Sequence, residues 1–187
     1  MAVWFWYFLI YSFLGYCLEK LFARAIHSPH QVRKCFLLLP LCPVYGLAMA
    51  AVLALAGPQA GFFPLVLLGG LVCTAVEYLV HLAYDRLFAT RFWDYSRMRW
   101  HIRGRVSLVF SLVWGLLSAL AVSLLQPSVV RLVRAIPAPV TFALWLLLAA
   151  DCVLTGALLL RFHDPEGLTV SGVLSQIRAS SQSSTSR

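Results

Sequence analysis

The chain has 187 residues, 61% of them apolar and only 12% charged, with a net charge of +8 and a mean hydropathy of +0.83. Soluble domains hold about 45–50% apolar and about 25% charged residues, so the principal solvent is a bilayer, and this length predicts one domain. The positive charge lies between apolar runs rather than on a soluble basic face, which excludes nucleic acid as a partner.

Run one, Val3 to Phe22, opens with Trp4, Trp6 and Tyr7, an aromatic belt suited to a membrane interface. No Lys or Arg precedes it, so it reads as a retained span rather than a cleaved signal peptide. It closes on Glu19 and Lys20, and a hydrophilic loop with Arg24, His27, His30, Arg33 and Lys34 follows. Run two, Phe36 to Ala56, begins with Pro40 and Pro43, whose missing N–H groups disfavour a regular helix start. After a short uncharged loop, run three spans Phe62 to Ala83 and carries Glu77. The next connection holds Asp85, Asp94 and six arginines. Run four is Val106 to Leu125; run five is Pro139 to Leu160 and contains Asp151. The chain then degrades into a Ser-rich tail of the composition expected for disorder.

A span needs about 20 apolar residues, so the reading is an all-α polytopic transmembrane helix bundle of five spans over 1–165, with a disordered tail over 166–187. Thirteen of the fifteen Lys and Arg fall in loop one, the connection after run three and the tail; two, Arg131 and Arg134, fall in the connection after run four. The positive-inside rule then predicts an N-terminus outside and a C-terminus in the cytoplasm, in the cytoplasmic (inner) membrane. None of the five cysteines has metal-ligand spacing, and all read as small apolar residues.

An acid in hydrocarbon costs at least about 2.5–3.5 kcal/mol on insertion scales, so it faces protein, water or a partner. Here the acids share helical stripes with small or polar residues. Run one has Ser12, Gly15 and Glu19; run three has Gly70, Thr74, Glu77, His81 and Asp85; run five has Asp151 and Thr155. Run four presents Ser107, Ser111, Gly115 and Ser118, a stripe suited to close helix contact. One cytoplasm-facing polar seam drawing in Glu19, Glu77, His81, Asp151, Ser111 and Arg105 accounts for all four stripes.

Three uses of that seam are open. The acids pair structurally with Arg103, Arg105 or Lys20; or they form an ion, proton or substrate site; or Glu77, His81 and Asp151 serve an intramembrane enzyme or metal-dependent protein. No P-loop, HExxH or GxSxG motif is present, so no cofactor or metal is assigned and ATP hydrolysis would belong to another chain. The segment Trp93-Asp94-Tyr95-Ser96 sets aromatics beside arginines, as an interfacial anchor does. It equally suits an in-plane segment covering the seam, with Asp94 closing a turn.

Several gapped motifs carry a family resemblance over about residues 5 to 160. They are Tyr11-Ser12-Phe13-Leu14-Gly15-Tyr16 with Glu19, Pro40-Leu41-Cys42-Pro43-Val44-Tyr45-Gly46, and Glu77-Tyr78. After them come Trp93-Asp94-Tyr95-Ser96, Gly104-Arg105, and Ser111-x-x-Trp114-Gly115, then Asp151. The chain resembles the ABC-transporter type IV family of integral membrane proteins. It departs at Leu39, where a Gly is usual, and at His101, where an Asn is usual. The resemblance implies a transport-related, permease-like membrane subunit, a separate ATPase subunit, and a homo- or hetero-oligomer.

Overall fold

Backbone groups in a bilayer must bond within the protein, so apolar runs become helices. The computed structural model describes residues 2–25, 35–57 and 60–162. The expected disordered tail and the basic cluster of loop one, Arg33 and Lys34, lie outside the described residues. Each apolar run contains a helix: α1 (Ala2–Ala25), α2 (Pro43–Leu55), α3 (Phe62–Phe88), α4 (Leu108–Leu120) and, after a π turn at Ala121–Leu125, α5 (Gln126–Arg134), then α6 (Ala138–Phe162). Among the described residues, four rods are long and apolar enough to cross a membrane: α1, α3, Leu108–Arg134 and α6. With the shorter α2 they form the five-helix, all-α membrane bundle read from the sequence.

Run four extends further than its pattern predicts. Pro127 withholds one helical N–H, and the ladder loosens into the π turn around it without breaking. The rod then continues to Arg134, with Val129 and Val133 packed on Tyr11 and Met49.

The second run is a helix in its latter half only. Residues 36–42 are non-helical, and α2 starts with Cys42 as its N-cap and Pro43 in its first turn. The Cys42 N–H donates to the carbonyl of Ser12, halfway along α1, at 2.9 Å. The segment therefore lies at mid-bundle depth. Backbone without a helical ladder is tolerated there only when buried in protein, and Leu37 and Leu41 pack against Leu9, Leu144 and Leu148. Cys35 and Cys42 are joined by a disulfide, so two of the five cysteines are not the separate apolar residues expected.

α1 packs on α2, α2 on α3, and α3 most extensively on α4. The last contact uses the small-residue stripes. A side chain at Gly69 would overlap Ser118, and one at Gly115 would lie 2.5 Å from the Val66 carbonyl. Thr74 donates to Ser111 at 2.7 Å across the same seam. α1 and α4, at the two ends of this series, face each other across a gap.

Candidate functional site

That gap is a cavity of about 480 Å³ lined from α1, α2, α3, α4 and the segment before α4. Its polar groups are set by close backbone approach. α1 carries Gly15 where the Tyr45 ring lies directly against it, and even one methyl group there would overlap the ring. The Tyr45 hydroxyl thereby reaches Glu19, one turn on, and donates to it at 2.6 Å. From α3, Glu77 is buried and accepts the Tyr95 hydroxyl at 2.9 Å and the Trp114 indole N–H at 3.2 Å. Glu19 and Glu77 both line the cavity. The Tyr45 and Trp114 rings stand perpendicular between them, centroids 5.3 Å apart, and Tyr95 stacks on Phe110 at 5.0 Å.

Tyr95 is delivered by a short built segment. His101–Ile102 and Val106–Ser107 form a two-residue antiparallel hairpin, β1 and β2. Its turn has Arg103 and Gly104 both at positive φ, 51° and 71°, closed by the Arg105 N–H to Ile102 carbonyl bond at 3.0 Å. Two successive residues at positive φ are what a primed turn requires, and Gly104 meets that at no steric cost. His101 stabilises it by accepting the Gly104 N–H on Nδ1 at 2.9 Å, so the departure at this position still supplies an acceptor. The Gly104 carbonyl then accepts the Tyr95 N–H at 2.8 Å, and the Trp93 indole donates to the Arg105 carbonyl at 3.0 Å. Asp94 closes a turn by accepting the Ser96 N–H and hydroxyl at 2.8 and 3.0 Å. Those bonds, the backbone one first, hold its carboxyl below the usual range. Burial, then the Glu77 carboxylate, push the Tyr95 phenol well up. Trp93 and Tyr95 line the cavity; Asp94 and Ser96 are exposed.

The other sequence candidates lie elsewhere. Asp151 does not line the cavity. It accepts the N–H groups of Leu38 and Leu39 at 3.2 and 2.9 Å and the Thr155 hydroxyl at 3.1 Å, so it bonds the broken start of run two to α6. Arg105, one expected counter-charge for the intramembrane acids, bonds Asp85 at 2.8 Å and Tyr78 at 3.3 Å. His81 meets the Trp93 carbonyl through Nε2 at 3.1 Å. Ser111 sits in the α3–α4 contact. The Glu77, His81 and Asp151 cluster does not assemble, because each residue has a different neighbour. No three His, Cys, Asp or Glu converge to hold a metal among the described residues. Glu19, Glu77 and Asp151 also lack an ion pair among the described residues.

Sequence reasoning missed Tyr45 and Trp114 as partners of the acids. Their signal was weak: Trp114 follows Ser111 on its helix face, and Tyr45 stands two residues after Pro43.

A family model described as Putative ABC-transporter type IV matches residues 6–156. That range takes in every lining residue of the cavity. No curated protein and no solved structure matches the chain.

Proposed function

From the premise that the chain belongs to the Putative ABC-transporter type IV family, as a multi-pass, transport-related membrane protein, we propose that the Glu19–Glu77 cavity is the solute site of a permease-like subunit. The observation that carries this reading is the cavity itself, about 480 Å³ inside an apolar bundle with two carboxylates on its wall. Ligand sites commonly measure about 300–1,000 Å³, are mostly apolar, and have a few convergent polar groups. Acids in a membrane interior mark substrate or ion paths by default. Trp93 and Tyr95 cover the site from the arginine-rich end. That end faces the cytoplasm of the inner membrane, with the N-terminus outside, on the positive-inside count. A separate ATPase subunit docks there, since this chain has no P-loop.

Cys73 provides the test, because it is a free thiol on the cavity wall. In the full chain with Cys17 and Cys152 changed to Ser, methyl methanethiosulfonate should modify Cys73 in the folded protein. Leu117→Trp, which projects bulk into the cavity, should slow it. A Cys73 that reacts only after denaturation would show a closed bundle and end this reading.

A further inference from the structure

We propose that the cavity takes a lipid-soluble organic cation, an ammonium group on an apolar body, admitted from the bilayer between α1 and α4. This rests on the solute-site reading above and names its substrate class.

Charge decides first. The chain has fifteen Lys and Arg, yet among the described residues no Lys, Arg or His lines the cavity, whereas two Glu do. An anion would meet these carboxylates, and no counter-charge among the described residues. So would the phosphate of a phospholipid headgroup. Among the described residues, the donors that reach Glu19 and Glu77 are two phenols and an indole. They orient the carboxylates and add no positive charge. A cation is the ligand left with complementary charge.

The wall then separates kinds of cation. A bare metal ion needs several oxygen ligands, and no metal-holding cluster forms among the described residues. Around the carboxylates stand the rings of Tyr45, Trp114, Tyr95 and Phe110. Aromatic faces attract diffuse cations, quaternary ammonium groups above all. The volume holds such a head together with an apolar body.

Entry follows from exposure. Leu14 on α1, Val113 on α4 and Leu125 in the π turn line the cavity and are also 38%, 41% and 46% exposed. Phe22 meets Phe110 at one end of this window, and Tyr11 bonds Gln126 at the other. Between them the cavity opens sideways, where the surrounding solvent is lipid. An apolar body enters there while the ammonium reaches Glu19 and Glu77.

The experiment uses the same single-thiol chain in detergent. A methanethiosulfonate forms a mixed disulfide with the Cys73 thiolate and releases methanesulfinate, whatever its charge. The trimethylammonioethyl and sulfonatoethyl reagents therefore differ in charge and not in chemistry. Relative to a free thiol, the cation-to-anion rate ratio at Cys73 should rise about tenfold or more, as local field focusing allows. Glu77→Gln and Glu19→Gln should each pull it back toward one. Benzyltrimethylammonium should protect Cys73; benzenesulfonate, phosphocholine and neopentylbenzene, its neutral isostere, should not. If a Gln variant fails to fold, this protection series decides on the unaltered carboxylates. A free-thiol ratio, or equal protection by the neutral isostere, overturns the cation while the cavity stands. Protection by phosphocholine assigns the site to a lipid headgroup and likewise overturns the proposal. If neither charged nor neutral reagents reach Cys73, the solute-site reading falls and this inference falls with it.

Discussion

The Tyr45 hydroxyl donates to the Glu19 carboxylate at 2.6 Å only because position 15 has no side chain. The ring crosses α1 at Gly15, one turn before the acid it serves. Gly15→Ala should therefore force Tyr45 away and destabilise the fold by about 1–3 kcal/mol, the usual cost of overpacking. In a Tyr45→Ala background the same change should cost much less, because the overlapping ring is gone. Thermal unfolding of the four proteins in detergent measures the cycle. Additive effects would mean that Gly15 and Tyr45 do not touch.

Asp151 and Glu77 bind different partners in different places. Asp151→Leu should destabilise more than Asp151→Asn, since it strands the Leu38 and Leu39 N–H groups at about 1–3 kcal/mol for an unmade buried bond. Combined with Glu77→Gln, Asp151→Asn should be additive within about 0.3–0.5 kcal/mol. A larger coupling energy in denaturation would place the two acids in one network.

How far the sequence reaches is shown by these same residues. Helical spacing puts Glu19, Glu77 and Asp151 on polar stripes, and positional periodicity specifies a face of a helix. It does not specify which neighbour that face meets. Glu19 and Glu77 meet the cavity, and Asp151 meets loop backbone from residues 38 and 39, over a hundred positions away. The prolines at 40 and 43 flagged an irregular start to run two, because a missing N–H is a local property. The disulfide was not legible, since pairing depends on Cα approach, here 5.0 Å, and not on spacing. Run four continues beyond Leu125 because packing of Val129 and Val133 carries the rod past Pro127, a long-range contact that no local pattern reports.

The Cys35–Cys42 bond bears on topology as well. On the proposed orientation it belongs to the cytoplasmic half, where disulfides are rare; at 4% and 2% exposure, both cysteines are shielded from soluble reductant. Chain denatured without reductant should alkylate at three cysteines, with the remaining two modified only after reduction. Five modified thiols would remove the bond. With native cysteines other than this pair replaced, Arg99→Cys, at an exposed position, should react with an impermeant maleimide in inverted vesicles and not in intact cells. Reaction in intact cells would reverse the orientation.

The Asp94 turn should show a defined pH dependence. Its carboxyl titrates below the ordinary value of about 3.9. A lowered folded-state value means the stabilisation is present above the unfolded value and is lost as pH falls through the folded one. Protection of the Ser96 amide from hydrogen exchange should therefore persist at pH about 4 and fade below it. In Asp94→Asn it should be lower at pH about 4 and above, and lack that acid step. An unaltered acid step in the variant would assign the titration to another group.

A density map of the full chain in a lipid nanodisc, at side-chain resolution, would decide whether the Glu19–Glu77 cavity exists. α1 and α4 should stand apart around the cavity, with the Glu19 and Glu77 carboxyl groups on its wall and Arg105 on Asp85. α1 closed onto α4 through Leu14, Leu18 and Leu117, or Arg105 turned onto Glu77, would contradict it.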